Sequence, residues 1–122
     1  MASIRKKIKP LSPTLRERKR YLAFEAITHG SVSDHRSVYQ AIEDSVLRLT
    51  GSRGLASAGL IPMDDSWQQK GQRGLVRVAH TSIDLLKAAM TTITKIDGKD
   101  AVVRSLGMSG ILKKAKERYL AA

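Results

Sequence analysis

The chain has 122 residues, a formal net charge of +11 at pH 7 and no cysteine. This length fits one domain with a modest core, and the absence of cysteine excludes disulfides, thiolate metal sites and cysteine nucleophiles. No apolar run approaches the ~20 residues of a membrane span, and the charged N-terminus lacks the apolar stretch of a signal peptide. We therefore expect a cytoplasmic protein with no membrane partner.

The positive charge is concentrated at the two ends of the chain. Residues 1–20 hold eight basic residues against Glu17 alone, and residues 111–122 hold four against Glu117 alone. The ninety residues between them are nearly neutral. This distribution favours contact with a polyanion, and nucleic acid is the commonest one. The candidate RNA contacts are Arg5, Lys6, Lys7, Lys9, Arg16, Arg18, Lys19, Arg20, Arg73, Lys113, Lys114, Lys116 and Arg118.

The predicted elements begin after a basic N-terminal arm at residues 1–13, which ends at Pro13. The remaining residues, 14–122, are predicted to form a single domain. Its first element is a strand over Lys19–Thr28, where side chains alternate and β-branched and aromatic residues are frequent. The residues that share one face of this strand are Leu22, Phe24 and Ala26.

A helix follows, with Ser33 or Asp34 as its N-cap and Thr50-Gly51 as its end. Its apolar stripe is Val38, Ile42, Val46 and Leu49.

The next stretch, residues 51–72, is rich in glycine and predicts a loop with a short edge strand near Leu60–Met63. It also contains Trp67, which is either a plug at the edge of the core or an exposed anchor for a partner.

The second half of the chain repeats the alternation of strand and helix. It contains a strand at residues 74–79, a helix capped by Thr81 or Ser82, a turn at Asp97-Gly98 and a strand over Ala101–Leu106. Ser109 is predicted to cap a last helix after the Gly107-Met108-Ser109-Gly110 break. The apolar stripe of the earlier helix is Ile83, Leu86, Met90 and Ile93.

This order of elements predicts an α+β fold, βαββαβ, of the ferredoxin-like or RNA-recognition type. The expected architecture is a sandwich with a four-stranded antiparallel sheet, helices on one face and an extra C-terminal helix. In such a sheet Glu25 would lie between Arg77 and Arg104. The other face carries apolar side chains, so we expect the last helix or another protein to cover it; these residues are Ala23, Leu75 and Val102.

The pattern predicts no catalytic residue and no metal site. The three histidines lack the i, i+4 spacing of a metal pair and have no carboxylate cluster beside them. The predicted open sheet face lacks the aromatic residues on which RNA-recognition modules stack bases. A phosphate could bind at the predicted helix cap, because glycine-flanked helix N-termini offer free backbone N–H groups; the residues concerned are Ser109 and Gly110.

Three strings resemble the protein component 2 family of archaeal ribonuclease P. They are LSPTLRERKRYLAFE at residues 11–25, GQRGLVRV at 71–78 and GMSGILKKAK at 107–116. The resemblance covers most of the chain, in the family's order, and is weakest over residues 51–69. It implies an RNA-recognition-like fold and a subunit of the ribonucleoprotein that removes the 5′ leader from precursor tRNA.

The resemblance also implies the chemistry and the partners. The RNA would cleave the phosphodiester with Mg²⁺ bound through the RNA, so the polypeptide would bind no cofactor alone. The implied partners are ribonuclease P RNA, precursor tRNA and the larger barrel-type subunit, component 3, with self-association left open. Within the site, Arg16, Lys19 and Arg20 would be ordered phosphate contacts, and the arm lysines and Arg5 would order on RNA.

Two other functions remain open at this point. One is a free-standing RNA-binding or ribosomal-type protein with no role in cleavage, which explains the charge but not the three strings together. The other is a protein enzyme of ferredoxin-like fold that uses His29, His35 or Asp64.

Overall fold

The computed structural model describes residues 18–120. The predicted arm lies outside these residues, and so do the predicted contacts Arg5, Lys6, Lys7, Lys9 and Arg16. The described chain forms strands β1 (Lys19–Thr28), β2 (Ile61–Gln68), β3 (Arg73–Ala79), β4 (Lys95–Ile96) and β5 (Lys99–Ser109), and helices α1 (His35–Ala58), α2 (Ile83–Thr91) and α3 (Leu112–Ala115). A 3₁₀ turn, His80–Ser82, precedes α2, and a wider helical turn, Lys116–Leu120, follows α3.

The strands form an antiparallel sheet in the order β2-β3-β1-β5-β4. Its four long strands have the ferredoxin-like arrangement, so the predicted fold class is confirmed. The predicted number of strands is one too few, because Lys95–Ile96 pairs with the start of β5. The turn between them is Asp97-Gly98, where both residues have positive φ, 53° and 75°. That backbone matches the two-residue turns that close tight hairpins.

The main core lies between one face of this sheet and the helices α1 and α2. Burying each aliphatic or aromatic side chain there stabilises the fold by about 1.5–3 kcal/mol. The predicted stripes are confirmed except at Leu49, which is 49% exposed. The buried members are Leu22, Phe24 and Ala26 on β1, Val38, Ile42 and Val46 on α1, and Ile83, Leu86, Met90 and Ile93 on and after α2.

Helix α1 extends beyond its predicted end. The backbone does leave the helical conformation at Gly51, with φ 77° and ψ 179°, as the glycine predicts. A second helical run follows and ends at Gly59 in the left-handed conformation. It forms because Ala58 is buried and Leu55 packs against the main core, contacts that the local sequence does not reveal.

Strand β2 is longer than the predicted Leu60–Met63 edge strand. It runs to Gln68 at the edge of the sheet, and its pairing with β3 shifts register between Met63 and Gln68. Ser66 bridges this irregularity, since its hydroxyl donates to Met63 O and accepts from Leu75 N–H, both at hydrogen-bond distance (2.6 and 2.9 Å). A side chain thus replaces the interrupted backbone ladder.

Trp67 packs at the edge of the core. Its ring lies 6.2 Å from Phe24 and 6.3 Å from Tyr39, and it stacks on His35 at 6.2 Å. The indole N–H donates to Gln69 Oε1 (3.0 Å). Of the two alternatives for Trp67, the structure supports the plug.

Gly74 and Tyr39 pack closely beneath β3. A Cβ on Gly74 would lie 2.6 Å from the Tyr39 hydroxyl, so only glycine fits without a shift. The single hydrogen of the hydroxyl is shared between the carbonyl oxygens of Leu75 (2.9 Å) and Met63 (3.1 Å). Burial raises the pKa of Tyr39 to about 12, which keeps the phenol protonated at physiological pH.

Helix α3 and the turn Lys116–Leu120 form the C-terminal segment. This segment covers the centre of the second sheet face, which is the face opposite the main core. Ala115 and Leu120 bury Ala23 and Leu75 in a small second core. The prediction that the last helix covers this face is therefore confirmed at its centre. It does not hold for Val102, which is 58% exposed.

Candidate nucleic-acid interface

The second sheet face carries a cluster of ion pairs around Glu25. Arg73 Nε donates to one carboxylate oxygen (2.9 Å), and Arg104 donates to the other (3.0 Å). The prediction that Arg77 belongs to this cluster is wrong. In the strand register Arg73 lies directly opposite Glu25, whereas Arg77 lies opposite Tyr21.

Glu25 remains charged in this environment. Burial, which leaves the side chain 13% exposed, raises its pKa, but the hydrogen bond from Arg73 and the charges of Arg104 and Arg73 outweigh that effect. The net pKa of Glu25 is lowered. The ion pairs of this cluster therefore connect three neighbouring strands, β3, β1 and β5.

Arg73, a predicted RNA contact, is thus held by protein groups. Besides Glu25, it donates to the carbonyl oxygen of Tyr119 (3.3 Å), which ties the C-terminal segment to the sheet. Its side chain is 37% exposed. Its role as an RNA contact stays a prediction.

The predicted contacts Arg18, Lys19 and Arg20 lie together where β1 begins. The backbone of Arg18 is held against His80: Arg18 N–H donates to His80 Nδ1 (3.2 Å), and His80 N–H donates to Arg18 O (2.8 Å). The Lys19 ammonium lies near Gly59, where a Cβ would be 3.1 Å away. This is the C-terminal end of α1, which favours a cation.

Arg20 lies beside the predicted phosphate position. Its Nη1 donates to Lys19 O (3.1 Å) and would be 3.4 Å from a Cβ on Gly110. The structure therefore brings together two predicted features that are ninety residues apart in the chain, the basic start of β1 and the Ser109-Gly110 turn.

Ser109 lies two residues before the N-cap of α3 and does not cap that helix as predicted. Ile111, not Ser109, occupies the N-cap position of α3, and no side chain caps that helix. The Ser109 hydroxyl instead accepts from Ile111 N–H (3.1 Å) and closes the turn that leads into α3. Phosphate binding at Ser109 and Gly110 stays a prediction.

The C-terminal basic residues lie on the outer side of their segment. Lys113, Lys114, Lys116 and Arg118 are exposed, whereas Ala115 and Leu120 point into the second core. No carboxylate within residues 18–120 forms an ion pair with these four cations. Such a stripe can neutralise phosphates at low desolvation cost.

Gln72 is a structural residue that sequence analysis missed within the GQRG string. It is buried with φ 51°, and its amide donates to Ala26 O (2.8 Å) and accepts from Val32 N–H (2.6 Å). These hydrogen bonds connect the end of β1 to the residues just before α1. The sequence feature that could have indicated this role is a glutamine between a glycine and a basic residue at the start of a strand.

The residues of the enzymatic alternative come together only in part. His35 Nε2 lies 3.4 Å from the Asp64 carboxylate, while the backbone N–H of His29 donates to Asp100 O. Within residues 18–120, no group of three or more His, Asp or Glu side chains could hold a metal ion. Over the same residues, no helix is long and apolar enough to cross a membrane.

Comparison with known proteins decides the family. The model of the Rpp14/Pop5 family matches residues 20–120. The chain belongs to the Rpp14/Pop5 family. The matched residues include strands β2 to β5, all of β1 except Lys19, and the basic C-terminal segment, so the fold and most of the described candidate interface belong to that family.

Two archaeal family members named ribonuclease P protein component 2 illustrate the similarity. The one from Thermococcus gammatolerans is 38% identical over 118 residues, covering 97% of this chain and 96% of its own. The one from Archaeoglobus fulgidus is 35% identical over 113 residues, covering 93% and 98%. The resemblance seen in the three strings is therefore confirmed.

A solved structure supports the fold independently. A chain in the cryo-EM structure of yeast ribonuclease MRP superposes with a TM-score of 0.58, covering 81% of this chain and 78% of its own. The two share 17% sequence identity, so this likeness concerns the fold alone.

Proposed function

We propose that this chain is the ribonuclease P protein subunit that binds and stabilises the catalytic RNA removing the 5′ leader from precursor tRNA. The observation that carries the proposal is membership of the Rpp14/Pop5 family over residues 20–120, with near full-length relatives named ribonuclease P protein component 2. The chain is then part of an RNA-based endoribonuclease, in the cytoplasm.

The charge distribution supports this role. Folding a large RNA brings phosphates close together, and lysines and arginines relieve the repulsion by releasing counterions. Such cations lie at the start of β1 and along the C-terminal stripe. They are Arg18, Lys19, Arg20, Lys113, Lys114, Lys116 and Arg118. Protein charge of this kind replaces part of the Mg²⁺ that the RNA alone would need.

The chemistry in this proposal belongs to the RNA. Mg²⁺ would be held through the RNA, and the polypeptide would bind no cofactor alone. Its contribution is to position RNA phosphates and to pair with component 3, the larger barrel-type subunit.

Cleavage of precursor tRNA by ribonuclease P RNA at limiting Mg²⁺ tests the proposal. We expect correct cleavage at the mature 5′ end to rise when both this chain and component 3 are added, compared with either protein alone. RNase treatment should abolish the activity. Cleavage that persists without RNA would support the enzymatic alternative based on His35 and Asp64.

A free-standing RNA-binding protein would behave differently in the same assay. It would bind the RNA with a steep salt dependence and leave the cleavage rate unchanged. That result would overturn the subunit role while keeping the RNA contacts.

A further inference from the structure

The second sheet face carries three arginines, of which Glu25 forms ion pairs with only two. Arg73 and Arg104 pair with its carboxylate, whereas Arg77 lies four residues along β3 from Arg73, on the same face. No carboxylate within residues 18–120 forms an ion pair with Arg77. Its positive charge is therefore available to a ligand.

The Arg77 guanidinium also has an unused donor. Arg77 is half-buried, and its Nε is buried with no hydrogen-bond partner among the residues that the structure describes. Buried polar nitrogen atoms in native proteins nearly always have a partner, so each exception requires an explanation. A ligand cannot reach this Nε, so a bound anion would contact the terminal Nη groups of the same guanidinium, which are not closed off in this way.

The neighbours of Arg77 form a polar row across three strands. In the register Arg77 lies opposite Tyr21 on β1, and Tyr21 lies opposite Ser109 on β5. The Ser109 oxygen already accepts from Ile111 N–H, which leaves its own O–H to donate. This row therefore places an arginine, a tyrosine and a serine side by side at one end of the sheet face.

The surrounding charge selects phosphate over other anions. Arg20 precedes Tyr21 and lies beside Gly110, while the exposed Lys113 and Lys114 follow three and four residues after Gly110 in the chain. Several phosphates of one strand can be neutralised together at such a site, which a single carboxylate cannot match. Arginine also fits two phosphate oxygens at once through its planar fork.

We propose that Arg77, with the hydroxyls of Tyr21 and Ser109, binds a phosphate of the RNA backbone. This inference rests on the proposed function, since it names a contact within the same RNA complex. It assigns the end of the second sheet face to RNA, apart from the arm and the C-terminal stripe. An N–H of each terminal nitrogen of Arg77, Nη1 and Nη2, would donate to one phosphate oxygen.

The test compares Arg77→Met, Arg77→Lys and the control Arg104→Met in binding to ribonuclease P RNA over a range of salt concentrations. Methionine keeps an apolar stem and removes the charge, and Arg104→Met makes the same charge change at a residue paired with Glu25. Arg77→Met should lower the slope of log K against log salt by about one unit and weaken binding about tenfold. Arg104→Met should change both far less.

Arg77→Lys separates a phosphate fork from charge alone. It should keep the slope near that of the unmutated chain and still lose affinity, because an ammonium lacks the planar pair of donors. Full recovery of affinity with lysine would overturn the two-donor geometry.

Four other results would overturn the inference. An unchanged slope with Arg77→Met, when the unmutated chain binds RNA normally, would refute this site and leave the proposed function standing. A lower melting temperature with an unchanged slope would show that Arg77 serves the fold. Lost binding to component 3 with intact RNA binding would assign Arg77 to a protein carboxylate. If the unmutated chain bound no RNA, the proposed function and this inference would both be wrong.

Discussion

The two ends of the second sheet face use arginine in different ways. At one end Glu25 holds Arg73 and Arg104 at 2.9 and 3.0 Å, and at the other Arg77 has no such partner among residues 18–120. The difference arises from the register of β1 against β3, which places the single carboxylate opposite Arg73. A buried carboxylate makes nearby arginines structural, and its absence leaves an arginine available for a ligand.

The largest expected effect comes from removing three cations at the start of β1. Replacing Arg16, Lys19 and Arg20 by alanine should lower the salt slope of RNA binding by about three units, one per lost phosphate contact. Filter binding over a salt series measures it. The matched control replaces three exposed cations of the neutral middle, Arg48, Arg53 and Lys70. An equal loss in the control would mean that net charge alone drives binding.

Glu25→Gln removes the negative charge that pairs with Arg73 and Arg104. We expect a loss of about 2 kcal/mol in unfolding free energy at pH 7, because two charge-assisted hydrogen bonds are weakened. Since the pKa of Glu25 is lower in the folded chain, its stabilisation is fully present above the pKa that this carboxyl has in the unfolded chain. It is lost as the pH falls through the folded value.

Urea denaturation at several pH values measures both effects of Glu25→Gln. The variant should lack this part of the acid destabilisation, and the exposed Glu43→Gln should keep it. Identical acid limbs for the two variants would remove Glu25 as the cause.

Gly107→Ala tests the packing of the C-terminal segment, which covers the second sheet face between its two ends. The added Cβ would collide with the Tyr119 ring, and Tyr119 O is an acceptor for Arg73. Overpacking of this kind costs about 1–3 kcal/mol. Thermal unfolding should show the loss, and in a Tyr119→Ala background the same substitution should be nearly neutral. A full loss in that background would refute the contact.

The smallest expected effect belongs to Ser109→Ala at the Arg77 end. It removes one hydrogen bond, to Ile111 N–H, and should cost about 0.5–1 kcal/mol. Thermal unfolding measures this loss, with the exposed Ser105→Ala on the same strand as the control. If Ser109 also donates to a phosphate, RNA affinity should fall further than the stability loss explains. Unchanged affinity would limit Ser109 to its turn.

Much of the fold could be predicted because its signals are local. Alternating apolar residues gave β1 to its exact bounds, and the turn at Asp97-Gly98 followed from its residue types. The extension of β2 could not be predicted in this way. It depends on the Ser66 hydroxyl, which completes the pairing with β3 across a shift in register.

The candidate site was predictable in composition and only partly in arrangement. The basic ends are visible in the sequence, but their meeting beside Arg20 and Gly110 is not. The role of Gln72 was missed and Arg77 was misplaced for one shared reason. Their roles depend on which strand lies opposite them, and on whether a polar partner is present there.

The sequence by itself determined the order of the four long strands and the helices, the faces that form the core and the two cationic ends. These follow from side-chain period and charge, which are properties of neighbouring residues. Only the tertiary structure decided that Glu25 pairs with Arg73 and that Arg77 lies opposite Tyr21. The physical reason is that cross-strand register is set by contacts between distant segments, and a shift of a few residues changes every charge pair on a sheet face.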